Sequence, residues 1–342
     1  MIDATTLCEQ GWIPDGLARF GMRRLIRQRL RDEMGGRPDL RARRQTAFFD
    51  SLREGPIAIA TDTANAQHYE VPAAFFKTVL GRRLKYSCAY YDTPDVGLDA
   101  AEERMLALTC ARAGVEDGMR LMDLGCGWGS LALWLAEHYP SSRITALSNS
   151  HGQREHIEAR ARDAGFNHLE VVTGNVAEYD TDARFDRVLS VEMFEHMHNY
   201  EALLRKVCGW LNPDGRLFTH VFCHQDVGYH YRQGDGWMEQ HFFTGGIMPR
   251  EDQFAQFPDV VTLQKSWWVD GTHYQRTCND WLAKLDAQRT LVADQLVGTY
   301  GPESVSIWVQ RWRMFFMACA ELFGLDDGNQ YGVVHSLMKP RR

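Results

Sequence analysis

The sequence predicts an α/β fold built on one seven-stranded, mainly parallel sheet, and three observations carry that prediction. Short β-branched runs alternate with helical stretches between Arg120 and Phe222. A glycine loop, Gly125-Cys126-Gly127-Trp128-Gly129, follows the first of those runs. The 342 residues are enough for such a core plus a cap of added helices.

Composition narrows the function classes. Hydrophobic residues make up 44% and charged residues 24%, and no run approaches the ~18 uninterrupted apolar residues of a membrane span. The N-terminus lacks the basic and apolar regions of a secretory signal, which predicts a cytoplasmic chain. A net charge of −7 argues against nucleic acid as a partner. The eight cysteines are scattered, with no C-x-x-C pair and no His/Cys grouping at zinc spacing, so reduced thiols and no metal are expected.

Residues 1–115 read as an N-terminal helical lid. Arg- and Leu-rich helices are broken at Gly35-Gly36, Pro38 and Gly55-Pro56; then come the aromatic-rich segment QHYEVPAAFFKTVLGRRLKYSCAYYD and a helix from Leu98 to Gly114. Ten arginines between Arg19 and Arg44 are interrupted by Asp32, Glu33 and Asp39. They predict a solvated helix face with Leu25, Ile26 and Leu30 turned inward, an anionic lipid surface being the alternative contact.

Residues 116–224 supply the alternation itself: RLMDLGCG, RITALSNS, LEVVTGN, FDRVLSVE and GRLFTHVF as strands, with WGSLALWLAEHY and GQREHIEARARDAG as crossover helices. Residues 225–342 read as a substrate-binding insertion after the fifth strand. It holds a Gly- and aromatic-rich stretch (Gly228 to Gly246), a strand VVTLQKSWWVD, helices from Asn279 to Leu322 and a last strand VVHSLMKP. The two late strands complete a sheet ordered 3-2-1-4-5-7-6, the last antiparallel.

The glycines after the first strand let the backbone approach a flat, polar ligand with no Cβ in the way. Their G-x-G-x-G spacing differs from the G-x-G-x-x-G of dinucleotide enzymes, where a helix N-terminus faces a pyrophosphate. Preceded by Asp123, the loop resembles the first motif of the seven-stranded methyltransferases, whose cofactor S-adenosyl-L-methionine carries no phosphate and leaves as S-adenosyl-L-homocysteine. The second strand ends in Ser148-Asn149-Ser150, without the common ribose-binding acid; Asn149 and Gln153 offer amide groups in its place, and Asn175-Val176 follow the third strand.

Glu192, Glu195 and His196 cluster at the end of the fourth strand, where ligands of open α/β sheets gather. If the chain turns helical there, the two carboxylates share a face with His196 one step round. Methyl transfer needs a neutral nucleophile, and an amine of pKa ~10 is only about 0.1% neutral at pH 7. Glu195 with His196 is expected to take the proton, and Glu192 to hold the incoming ammonium.

From His68 onward the segments QHYEVPAAFF, LKYSCAYY, MDLGCGWGSLALW, SVEMFEHMHNY, FTHVFCH, HFFTGGIMP and FFMACAELFG resemble the coclaurine-type N-methyltransferases, within the cyclopropane fatty-acid synthase superfamily. The resemblance implies a Rossmann-like class I methyltransferase core. It implies cofactor contacts at Ser87, Gly125, Asn149, Gln153, Asn175, Val176 and Val191, to which Tyr86, Asp123, Gly127 and Gly129 are added as candidates. It implies catalytic roles for Glu195 and His196, with Cys319 matching a cysteine assigned to the synthases' active site. In those synthases, which methylate a lipid alkene, Cys88, Glu195, His220 and Tyr274 match the positions that hold a bicarbonate base, and a small residue stands where this chain has Glu192. That carboxylate points to a small amine as substrate. Tyr86, Tyr90, Trp237, Phe242, Phe243 and Trp312 are the candidate pocket wall, and a second copy of the chain is a candidate partner.

Overall fold

The computed structural model describes residues 3–59, 71–231, 234 and 236–341. The first residues of the predicted aromatic-rich segment, 67–70, lie outside them. Among the described residues, five helices precede the sheet: α1 (Ala4–Glu9), α2 (Asp15–Met34), α3 (Pro38–Ser51), α4 (Ala73–Val79) and α5 (Leu98–Ala113). The alternating region follows as β1 (Arg120–Leu124), α6 (Ser130–His138), β2 (Arg143–Ser148), α7 (His151–Ala164), β3 (Leu169–Thr173), β4 (Phe185–Val191), α8 (Tyr200–Trp210) and β5 (Leu211–His224). The remainder comprises β6 (Tyr229–His230), α9 (Trp237–His241), β7 (Ile247–Met248), β8 (Val261–Asp270), α10 (Gly271–Ala287), α11 (Arg289–Tyr300), α12 (Val305–Phe323) and β9 (Tyr331–Pro340).

The main sheet runs β3-β2-β1-β4-β5-β9-β8, the seven-strand order read from the sequence. Strands β1 to β5 are parallel, and β9 enters antiparallel to both β5 and β8. A two-stranded ladder, β6 with β7, was not anticipated. Strand β1 is buried on both faces from Leu121 to Leu124, an apolar run broken only by Asp123.

Caps explain where helices start. Ser150 accepts the Gln153 N–H and begins α7, while Asn199 accepts the Ala202 N–H and begins α8. The helix expected from Asn279 starts at Gly271, because the Asp270 carboxylate accepts the Thr272 N–H at 3.0 Å.

Leu106, Cys110 and Ala113 of α5 pack on Leu121, Leu189 and Phe218 of the sheet. Helix α2 docks on α12 instead: Arg19 and Arg23 meet Glu321 at 2.8 and 2.5 Å. Its inward stripe is Met22, Ile26, Leu30 and Met34, at i, i+4 spacing. Leu25, predicted to point inward, is 70% exposed, since one residue turns 100° away from Ile26. The arginines are likewise not one solvated face, for Arg29 lies 4.9 Å over the Tyr229 ring. No helix among the described residues is long and apolar enough to cross a membrane.

Candidate active site

The carboxyl ends of β1, β4 and β5 face a segment at residues 84–88 and the helices α10 and α12. Two cavities of about 190 and about 80 Å³ lie there and share Gly125, Gly127, Gln153, Glu192 and His196. Of the candidate cofactor residues, Tyr86, Ser87, Asp123 and Val191 line the larger cavity, and Asn149, Asn175 and Val176 the smaller. Gly129 lines neither. A Cβ there would come within 2.5 Å of Ile157 Cγ1, so this glycine lets α6 and α7 approach, whereas a Cβ on Gly127, at φ +51°, would meet nothing within 4 Å.

Asp123 Oδ2, Ser130 Oγ and Gln153 Nε2 are buried on this wall without a partner among the described residues. Burial pushes the Asp123 carboxyl up to about 7, with the Ala132 N–H acting the other way. Gln153 Oε1 already accepts the Ser148 hydroxyl at 2.6 Å, which leaves its N–H groups as donors into the cavity. Asn175 Oδ1 accepts the Ala177 N–H at 2.9 Å in a local turn.

Glu192 ends β4 in a left-handed conformation, φ 48°. Its N–H donates to the His220 carbonyl at 2.8 Å, continuing the β4–β5 ladder through a residue that turns away from it. Its carboxylate accepts three hydrogen bonds: from the Cys88 N–H at 3.0 Å and His220 Nε2 at 3.1 Å on one oxygen, and from the Tyr274 hydroxyl at 2.5 Å on the other. Burial raises its pKa, and Lys85, Tyr274 and the Cys88 N–H oppose the rise.

The chain then makes one 3-10 turn, Phe194–His196, so the two carboxylates do not share a helix face. Glu195 is fully buried behind the cavity; one oxygen accepts the Phe222 N–H at 2.7 Å and the other has no hydrogen-bond partner among the described residues. Burial, and next the charge of Glu192, push Glu195 well above the usual carboxylate range. His196 lines both cavities, with its ring 5.0 Å from Phe243. Tyr274 and Cys319 line the larger cavity, while Cys88 and His220 sit behind its wall.

Sequence reasoning passed over Lys85, which is 2% exposed and donates to Ser87 Oγ at 2.5 Å and the Cys88 carbonyl at 2.7 Å. Its one signal is a lysine within the aromatic run LKYSCAYY. Among the expected wall aromatics, Tyr86 and Phe243 line the cavity. Phe242 and Trp312 are fully buried, packed at 5.0 Å, Trp237 donates to Glu9, and Tyr90 stacks on His273. Phe222, Tyr231, Trp281, Phe315 and Phe323 line it in their place, because helix phase and the return of β5 decide which rings face inward.

The fold and this site define a class I S-adenosylmethionine-dependent methyltransferase. The model of the mycolic acid cyclopropane synthetase family matches residues 59–331. The (S)-coclaurine N-methyltransferase of Thalictrum flavum subsp. glaucum is 38% identical over 298 residues, 85% of this chain and 82% of that protein. The cyclopropane-fatty-acyl-phospholipid synthase of Escherichia coli (strain K12) is 29% identical over 79% of this chain and 66% of that one. A crystal structure of coclaurine N-methyltransferase bound to N-methylheliamine and SAH superposes with a TM-score of 0.94, at 34% identity over 97% of both chains. The chain belongs to the mycolic acid cyclopropane synthetase family, in its coclaurine-type N-methyltransferase branch.

Proposed function

We propose that this chain methylates the nitrogen of a small cyclic or aromatic amine held in the larger cavity. The carrying observation is the carboxylate of Glu192. It takes hydrogen bonds from Cys88 and from His220 and Tyr274, which match the bicarbonate-holding positions of the alkene-methylating synthases. A built-in carboxylate therefore occupies the donors that a mobile base would need, and it places a negative charge where both cavities meet. An ammonium gains from that charge and an alkene does not.

The orphaned atoms fit the cofactor. Asp123 Oδ2 would face its ammonium, Gln153 Nε2 and Asn149 its ribose hydroxyls, Asn175 and Val176 its adenine, with Gly125 and Gly127 giving the backbone close approach. Bound there, S-adenosyl-L-methionine supplies an electrophilic methyl group on its sulfonium. The residues of this chain then do three things. Glu192 holds the ammonium, the aromatic wall excludes water from it, and His196 takes its proton. Support for an amine also comes from the 34%-identical structure, which is bound to N-methylheliamine and SAH.

The test measures S-adenosyl-L-homocysteine release with a panel of cyclic secondary amines and aromatic-ethyl amines, beside vesicles of unsaturated phospholipid. Turnover is expected with amines and not with vesicles. Turnover with vesicles alone, or with neither, overturns the reading.

A further inference from the structure

His220 and His335 are paired directly across β5 and β9, and His335 is paired with Trp267 on β8. Directly opposed residues point to the same face of a sheet. Both imidazoles are 0% exposed, with ring centroids 4.8 Å apart. Two buried imidazoles on one rung are costly unless every ring nitrogen is matched. Here every one is. Arg112, from α5, lies 5.2 Å over the Trp267 ring and reaches His335 Nδ1 at 2.8 Å. His335 Nε2 is 2.9 Å from His220 Nδ1, and His220 Nε2 is 3.1 Å from Glu192 Oε1.

The chemistry at one end gives this line a direction. A guanidinium has five donors and no acceptor, so His335 Nδ1 must accept. Burial first, then the charges of His220, Arg112 and Lys85, hold His335 well below the usual imidazole range, and burial, Lys85 and Arg112 do the same for His220. Each neutral ring carries one N–H. With Nδ1 of His335 accepting, its proton sits on Nε2 and is donated to His220 Nδ1. His220 must then carry its own proton on Nε2, aimed at Glu192.

We propose that Arg112, His335 and His220 are positioning residues for amine binding: a one-way hydrogen-bond line that sets the tautomer of His220 and so keeps the Glu192 carboxylate oriented into the cavity. This rests on the reading of Glu192 as the group that holds the ammonium. Neither Arg112 nor His335 lines the cavity, so the effect passes through His220. Glu192 then has a donor on each oxygen, and His196, which lines both cavities, stands beside it to take the amine's proton.

Two measurements on the full chain test it. Nitrogen NMR of histidine-labelled protein is expected to show both His220 and His335 as Nε2–H tautomers; an Nδ1–H form of either overturns the line whether or not any amine is turned over. In steady-state kinetics His335→Phe, which removes the donor to His220, is expected to raise KM for the amine roughly tenfold or more, with kcat changed about threefold or less. S-adenosyl-L-homocysteine affinity by calorimetry stays at the wild-type value. His335→Gln, whose amide N–H can still donate to His220 Nδ1, is expected to restore most of that KM. Equal effects of Phe and Gln, or an unchanged KM in both, overturn the proposal. Should His335→Phe fail to fold, Arg112→Leu on the half-buried end of the line carries the same expected rise in KM. A wild-type chain that turns over no amine fails the functional reading, and the tautomers still decide the line.

Discussion

At Asp123 stability and binding pull against each other. Its carboxyl has a usual value of 3.8 and stands at about 7 in the fold, because burial disfavours the charged form. Between those values the folded chain keeps a proton that the unfolded chain has lost. Its contribution to stability is therefore fully present below about 3.8 and is lost as pH rises through about 7. Asp123→Asn is expected to melt a few degrees above the wild type at pH 8, with a smaller gap at pH 5. The same change is expected to weaken S-adenosyl-L-homocysteine binding roughly tenfold or more, and the wild-type affinity to climb from pH 6 to 8 as the carboxylate forms. Calorimetry at the two pH values checks both; full affinity in the Asn variant removes Asp123 from the cofactor's ammonium. Glu192 shows the other way of keeping a buried carboxylate, with three donors converging on it. Asp123, Glu192, Glu195 and His196 were legible as chemistry-bearing residues at strand ends. Arg112 and His335 were not, because each meets a partner distant in sequence, and Lys85 was not, because a lysine in an aromatic run gives no sign that it is buried on Ser87 and Cys88.

Among the elements, α2 is tied to α12 by the Asp15–Arg313 ion pair and by a carboxylate that two of its arginines share. Glu321 is 8% exposed at its side chain and accepts from both Arg19 and Arg23, which are more open to solvent. Removing it leaves two guanidinium groups without that acceptor, and their partial exposure limits the cost. Glu321→Ala is expected to lower stability by about 2 kcal/mol and to speed amide exchange across residues 15–34 ahead of the sheet. Exchange unchanged in α2 would show that its apolar stripe and the Asp15–Arg313 pair dock it without Glu321. Of that stripe Ile26 and Leu30 were legible and Met22 and Met34 were not; Leu25 fell outside it because adjacent residues point 100° apart on a helix. The turn after β4 was not legible. Glu192 at φ 48° redirects the chain, and no local propensity favours a glutamate there.

At the level of the whole molecule, the larger cavity draws its walls from distant parts of the chain: Tyr86 and Ser87, the β1 loop, Phe222 of β5, Tyr231 and Phe243 of the insertion, and Trp281 and Phe315 of α10 and α12. A ligand seated there ties the N- and C-terminal helices to the sheet. S-adenosyl-L-homocysteine at 100 times its dissociation constant is expected to add about 2.7 kcal/mol of stability, which for a chain of this length raises Tm by roughly 4 °C. A scanning-calorimetry trace should show that shift in one transition. A split in which only part of the chain moves would mean that the cap and sheet unfold separately.

The sequence by itself determined the strand order, the glycine loop and the acid-histidine cluster, because strand period, turn chemistry and capping are local and a parallel sheet leaves few ways to connect them. Only the tertiary structure decided which rings face the cavity, that Gly129 serves packing, and that Arg112, His335 and His220 stand in line behind Glu192. The line itself joins residues more than a hundred positions apart, Arg112 to His335 and His335 to His220. It arises when β9 inserts beside β5, a pairing set by burial of the whole sheet and by no segment alone.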